Sequence, residues 1–124
     1  MKLEVAKIIL QCPDDWSCEI FFVLGCPEVI FKNGQKRIVH IFGSSGNLSR
    51  IIYADHSGYH RNPNEGPALI YYSDSGKIIG EEYYSNGWLH RDPLEGPAIT
   101  NYFKNGNIKS EHYYVHGARV RPPN

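Results

Sequence analysis

The feature of this sequence that most constrains its fold is a repeat with a period of 30 residues. The phrase HRNPNEGPA at residues 60–68 returns as HRDPLEGPA at residues 90–98. A fixed period of this length is typical of one supersecondary unit copied in tandem. We therefore divide one domain, residues 1–124, into an N-terminal cap at 1–31 and repeat units at 32–61, 62–91 and 92–121.

Each unit has the composition of a β-hairpin. In the middle unit, residues 68–72 and 78–84 are rich in apolar and aromatic residues, and a turn around Gly76 separates them. In the third unit the turn contains Asn105-Gly106, the strongest short signal for a hairpin. The linking phrase EGPA places Gly before Pro, so the chain is expected to leave the sheet there. The fold class predicted is all-β: three tandem hairpin repeats form a twisted antiparallel sheet with almost no helix.

The cap does not repeat, and its composition also favours strands. Residues 2–10 and 18–24 are strand-like, residues 13–15 predict a turn, and Asn33-Gly34 predicts a hairpin into the first unit. The sequence therefore predicts an N-terminal β cap.

Four columns of the repeat are apolar in every unit, and we expect them to line the core. In the first unit, residues 39 and 42 are an odd number of positions apart, and so are residues 48 and 53. Residues spaced in this way point to opposite faces of a flat strand, so a flat sheet cannot place all four columns on one face. A bulge or strong twist in each hairpin is required. The columns are Val39, Leu69 and Ile99; Phe42, Tyr72 and Tyr102; Leu48, Ile78 and Ile108; and Tyr53, Tyr83 and Tyr113.

Charge and cysteine content exclude several classes of protein. Thirteen basic residues balance thirteen acidic ones, so the chain lacks the basic surplus that non-specific nucleic-acid binding or an anionic membrane requires. Residues 1–10 lack the unbroken apolar run of a signal peptide, and three cysteines do not form a disulfide framework. We expect a cytoplasmic location, in the host cytoplasm if a phage encodes the chain.

The phrase YYSNGWLHRDPLEGPA, at residues 83–98, resembles the bacterial and phage variant of the MORN repeat. The resemblance covers about residues 37–121. It implies a curved antiparallel sheet and a binding or scaffold role, which most members of the family have; some members are antitoxins. The first unit departs from the pattern because it has QKRI in place of EGPA.

Paired tyrosines predict an aromatic stripe on the outer face. Neighbouring strand residues point to opposite faces, so one tyrosine of each pair is expected in the core and the other outside. Aromatic surface of low charge is typical of protein interfaces. The alternative interpretation is that the cap or a second copy of the chain covers this face. Its predicted members are Tyr71, Tyr84 and Tyr114, with Trp88 near a turn.

The repeated His-Arg pair allows a structural and a functional interpretation. His60 and His90 are weak candidates for a metal site, although their spacing matches no compact ligand pair. Arg61 and Arg91 are candidate binding residues beside the aromatic stripe. In the structural interpretation, each Arg pairs with a nearby carboxylate such as Glu65 or Glu95, and each His bonds a backbone carbonyl.

No catalytic motif or cofactor signature is present, and no base can be assigned to activate a cysteine. The sequence therefore favours a non-enzymatic protein-protein interaction module. Within this class we expect an inhibitor that blocks a protein sterically, such as a phage anti-defence (anti-CRISPR-like) protein or an antitoxin-like protein. The alternatives are a metal-dependent enzyme using His60 and His90, and a structural homo-oligomer formed through a sheet edge or the aromatic face.

Overall fold

The computed structural model describes residues 3–123 and contains one short helix followed by twelve strands. The elements are α1 (Leu3–Leu10), β1 (Ser17–Val23), β2 (Cys26–Asn33), β3 (Lys36–Phe42), β4 (Leu48–Asp55), β5 (Gly58–Tyr59), β6 (Leu69–Tyr72), β7 (Ile78–Glu82), β8 (Tyr84–Ser85), β9 (Trp88–Leu89), β10 (Ile99–Tyr102), β11 (Ile108–Val115) and β12 (Ala118–Val120).

The strands form an open antiparallel sheet in which consecutive hairpins lie side by side. Its order is β1-β2-β3-β4-β6-β7-β10-β11-β12, with β5 paired to β4, while β8 and β9 form a separate two-stranded ribbon. The sheet does not close on itself. The predicted all-β class with repeated hairpins is confirmed.

A bulge is present in the second strand of all three repeat hairpins, where it puts Leu48 and Tyr53 of the first unit on one face. The register shifts between Ile41 and Phe42, between Tyr71 and Tyr72, and between Asn101 and Tyr102. These positions are 30 residues apart, so the bulge belongs to the repeat. The columns that begin with Val39 and Phe42 remain on opposite faces, because the first strand of each hairpin alternates without a bulge, so the prediction that all four columns share one core face is wrong.

The prediction of a strand at residues 2–10 is wrong: residues 3–10 form α1, and Lys2 lies outside the described residues. Val5, Ile8 and Ile9 follow the i, i+3, i+4 spacing of one helix face and belong to the core cluster over β2 and β3. Burial of this face outweighs the strand preference of Val and Ile, because propensity is a weak prior beside tertiary packing. The other cap predictions hold, since β1 spans Ser17–Val23 and a hairpin turn follows Asn33.

The best-packed core lies under α1, between the cap and the first repeat unit. Val5, Val29, Phe31 and Phe42 are buried together, and Leu48 packs against them. The other members of the Leu48 column are exposed, Ile78 by 39% and Ile108 by 55%. The prediction that this whole column lines the core is therefore wrong, because α1 covers only the cap end of the sheet.

Strand register divides the sheet into two faces. We call the side that α1 covers the helix face; Val29, Ile38, Tyr53 and Tyr72 lie on it. We call the opposite side the open face; Arg50, Tyr71 and Glu82 lie on it because Arg50 pairs with Tyr71, and Leu69, two residues before Tyr71, pairs with Glu82. Within the described residues, no helix is long and apolar enough to cross a membrane.

The turn between β1 and β2 yields the first prediction. Leu24 and Gly25 both have positive φ, 52° and 80°, and Leu24 is 99% exposed. Asn adopts this conformation more readily than Leu and gives up no packing here. We expect Leu24→Asn to raise the free energy of unfolding by about 1 kcal/mol. Urea denaturation at high dilution measures this change, and Leu94→Asn, exposed but without positive φ, should leave stability unaltered.

His40 yields the second prediction. It is buried on the helix face beside Phe31, and burial lowers its pKa from 6.5 to about 4, a shift that the contact with the Val29 backbone partly opposes. Below pH 6.5 the unfolded chain binds a proton that the folded chain refuses, so stability falls as pH drops towards 4. The loss amounts to about 3 kcal/mol. Denaturation at pH 7.0, 5.5 and 4.5 should show a shallower decline for His40→Phe than for the unmodified chain; parallel declines would contradict the assignment.

Candidate functional site

The links between repeat units are held by an arginine. The guanidinium carbon of Arg61 lies 3.7 Å from the centre of the Tyr53 ring, and Nη1 donates a hydrogen bond of 3.1 Å to the carbonyl of Pro67. Gly66 has φ 134°, and a Cβ there would lie 2.8 Å from Nη1 of Arg61. The Gly of EGPA therefore makes room for the arginine.

The next link repeats this arrangement. The guanidinium carbon of Arg91 lies 4.0 Å from the centre of the Tyr83 ring, and Nη1 donates a 3.2 Å hydrogen bond to the carbonyl of Pro97. We call each set of Arg, Tyr and Pro carbonyl an arginine clamp. Among the described residues neither Arg61 nor Arg91 forms an ion pair with Glu65 or Glu95, so the predicted carboxylate pairing is wrong. Both guanidinium groups are engaged within the fold.

The histidines hold neighbouring units together through their ring nitrogens. Nδ1 of His60 accepts a hydrogen bond from the backbone N–H of Asn86, and Nδ1 of His90 accepts one from His116, each at 3.0 Å. The rings of His90 and His116 stack with centres 4.3 Å apart. The expected bond to a backbone carbonyl is thus reversed in direction. Across residues 3–123, no three His, Cys, Asp or Glu side chains are grouped as a metal site would need.

The tyrosine pairs are split between the two faces, as the sequence predicts. Tyr71 packs on the open face against Gly80, where a Cβ would lie 3.1 Å from its ring. Tyr72, on the helix face, has Tyr53 and Arg61 among its electrostatic neighbours. Tyr83 lies under Arg91, whereas Tyr84 contacts Tyr59 edge-on at 5.1 Å between ring centres.

Three tyrosines of the open face, Tyr59, Tyr71 and Tyr84, form a cluster, and Glu82 lies beside Tyr71 and Tyr84. The hydroxyl of Tyr84 donates a 3.0 Å hydrogen bond to Glu82. Burial, followed by the charge of Glu82 and this bond, raises the pKa of Tyr84 well above its ordinary value. Burial and the same charge also raise the pKa of Tyr71. The raised pKa values of Tyr71 and Tyr84 mean that both keep their proton at a pH where an ordinary tyrosine begins to ionise.

Tyr114 lies on the same face as this group of tyrosines, whereas Trp88 lies on the other side. Tyr114 pairs with Arg119 as Tyr84 pairs with Leu89, so the two tyrosines occupy equivalent places in successive units. Trp88 pairs with Ser85 and leaves the ribbon on the face opposite Tyr84. It is 60% exposed and its ring abuts Gly117. We define the tyrosine stripe as Tyr59, Tyr71, Tyr84 and Tyr114.

An apolar patch in the cap escaped the sequence analysis. Phe22 is 69% exposed and Leu24 almost entirely so, while Phe21 and Val23 are each about half exposed. Four consecutive large apolar residues before a glycine are the signal that could have revealed it, because alternation within an edge strand cannot bury all of them. We call Phe21, Phe22, Val23 and Leu24 the edge patch.

The cysteines remain free thiols. Cys12, Cys18 and Cys26 are half-buried and form no disulfide. Burial, with the nearby Cys12 and Glu19, raises the pKa of Cys18. A raised thiol pKa disfavours the thiolate that nucleophilic chemistry requires.

Comparison with known proteins adds no relative. No family model, curated protein or solved structure matches this chain. The assignment to the MORN repeat therefore stays a prediction.

The arginine clamp yields the third prediction. Lysine cannot stack a planar group on Tyr83 while it bonds Pro97, so Arg91→Lys should lower the free energy of unfolding by about 2 kcal/mol. Arg121 occupies the same column but is exposed and stacks on no ring among the described residues, so Arg121→Lys should change stability by less than about 0.5 kcal/mol. Urea denaturation of both variants decides the matter; equal stabilities would show that the clamp contributes nothing.

Proposed function

We propose that this chain is a non-enzymatic protein-protein interaction module that binds its partner through the tyrosine stripe. The observation that supports this most directly is that four tyrosines lie on the side of the sheet that α1 leaves uncovered, with Tyr59 42% exposed and the others half-buried. Tyrosine is enriched among the residues that dominate binding energy at interfaces.

The stripe is ordered before any partner binds. Tyr84 is fixed by Glu82 and by the ring of Tyr59, and Tyr71 is seated against Gly80. A side chain that is already immobilised loses less conformational entropy on association, which strengthens binding for a given contact area. Glu82 and Arg50 lie on the same face as Tyr71, so a partner would meet charges of both signs beside the aromatic surface.

The contacts of the repeated His-Arg pairs weaken two alternative functions, nucleic-acid binding and metal-dependent catalysis. Because Arg61 and Arg91 are engaged with Tyr53, Tyr83 and the link carbonyls, a column of free cations for nucleic acid is not available there. A metal enzyme built on His60 and His90 has less support, since one nitrogen of each ring already accepts a backbone hydrogen bond.

Within this class we favour a steric inhibitor, either a phage anti-defence protein of the anti-CRISPR kind or an antitoxin-like protein. A rigid sheet with an ordered aromatic stripe acts by covering a surface of its partner, and the MORN-like repeat fits such a scaffold. The partner is therefore a protein, and no cofactor enters the proposal.

The fourth prediction tests the stripe. Tagged chain is used to capture proteins from a lysate of the native cell or host, and the captured protein is purified for a binary titration. We expect Tyr59→Ala and Tyr114→Ala each to weaken the binary complex tenfold or more, the loss typical of a hot-spot tyrosine. For an inhibitor, one equivalent of chain should abolish the activity or assembly of the partner.

Phe103→Ala is the matched control, because Phe103 is an aromatic residue in the turn between β10 and β11 that is at least as exposed as the stripe tyrosines, 50% against 42% for Tyr59. Circular dichroism and thermal denaturation establish that each variant is folded. If Phe103→Ala weakens binding as much as the stripe variants, or if the stripe variants bind like the unmodified chain, the stripe is not the interface.

A further inference from the structure

Strand β1 forms an outer edge of the sheet that the sequence does not protect. Among residues 3–123 its only strand partner is β2. Ser17–Val23 contains no proline, glycine or lysine, although such residues commonly protect edge strands from pairing. Its one charge, Glu19, is neutralised by Lys32 at 3.1 Å. At the other end of the sheet, β12 is followed by Arg121, Pro122 and Pro123, which discourage further pairing.

The edge patch presents apolar area on the scale of a protein interface. At their fractional exposures, its four side chains present roughly 500 Å² of apolar surface per chain. A standard interface buries about 800 Å² per partner, of which somewhat more than half is apolar. The edge patch therefore presents apolar area of the same order as one partner contributes to a standard interface, on both faces of the edge strand.

The backbone of β1 offers a regular set of unpaired groups. Leu24 and Gly25, both at positive φ, form a two-residue turn that closes with the carbonyl of Val23 and the N–H of Cys26. In an antiparallel ladder the hydrogen-bonded pairs alternate, so Glu19 and Phe21 also bond towards β2. Cys18, Ile20 and Phe22 therefore direct their N–H and C=O groups outward.

We propose that β1 binds the β1 strand of a second copy of this chain, antiparallel, across a two-fold axis at Ile20. In this register Ile20 faces its own copy and Cys18 faces Phe22 of the other chain, so all three outward-directed residues pair. Glu19 lies opposite Phe21, and no carboxylate directly faces its own copy. A second copy fits better than an unrelated strand, because one sequence supplies the matched register, the apolar area and the absence of opposed charge.

This dimer goes beyond the proposed function and does not depend on it. The two-fold axis of an antiparallel edge pair is perpendicular to the sheet, so the open faces of both copies lie on the same side. Two tyrosine stripes are then presented in one direction, and a partner with two equivalent sites would be bound with avidity.

The fifth prediction concerns the mass of the full chain, measured by sedimentation velocity from about 1 to 100 μM. We expect the mass of two chains at the upper end. Phe22→Pro removes an outward N–H that β2 does not use, and Leu24→Asn removes the most exposed apolar side chain while suiting the turn. Each should raise the dissociation constant of the dimer tenfold or more, whereas Leu94→Lys, which alters an exposed leucine away from β1, should leave it unchanged.

Amide exchange followed by NMR provides the second readout. The amides of Cys18, Ile20 and Phe22 should become protected as concentration rises, while those of Glu19 and Phe21 stay protected throughout. A chain that remains monomeric to 100 μM, a dimer that survives both variants, or protection without this alternation overturns the proposal. Tyr59→Ala should dimerise normally, which separates failure of the stripe from failure of the edge.

Discussion

The repeat architecture depends on the arginine clamp. An antiparallel hairpin of this size is marginal alone, so each unit must be fixed to its neighbours. The clamp achieves this where the chain leaves the sheet, because the guanidinium covers a tyrosine of one unit and donates a hydrogen bond to the proline carbonyl just before the next strand. The backbone N–H of Arg61 also bonds Tyr84, and that of Arg91 bonds Tyr114, so each clamp touches the following unit. The glycine of EGPA is required for this reason, since a side chain there would displace the arginine.

A single sheet has two large faces, and one eight-residue helix can cover only part of one of them. The buried cluster of Val5, Val29, Phe31 and Phe42 is confined to the cap and the first hairpin of the repeats. In the repeats, tyrosines replace aliphatic residues because a tyrosine can be half-buried and still satisfy its hydroxyl, as Tyr102 does by donating to Glu81 at 2.6 Å. The consequence is an aromatic surface that is ordered but not covered. The same shortage of covering elements leaves β1 as an exposed edge.

The sequence predicts those features that recur every 30 residues. The hairpins, the turn glycines and the three bulges follow from spacing and parity alone, because period and register are properties of the chain. Prediction from the sequence fails where one side chain contacts two other residues at once. Nothing in the phrase HRDPLEGPA reveals that Arg91 stacks on Tyr83 from the preceding hairpin, and the acidic neighbour Glu95 suggests an ion pair instead. The strand prediction for the cap fails for a different reason. Residues 3–10 have no second copy in the chain to compare with, and their β-branched composition favours a strand. Their helical spacing becomes significant only because one face of α1 packs over β2 and β3.

Exposure to water has different energetic consequences for the tyrosine stripe and for the edge patch. The tyrosines carry hydroxyl groups and contact neighbouring side chains, so they tolerate exposure to water when no binding partner is present. Phe22 and Leu24 have neither, and the groups directed outward from β1 are those that pair with any strand of suitable length. An edge of this kind is compatible with a stable protein only if something occupies it. A two-fold pairing meets that requirement with the chain itself and ends after two copies, because the opposite edge strand, β12, is only three residues long, includes Arg119 and is followed by Pro122 and Pro123.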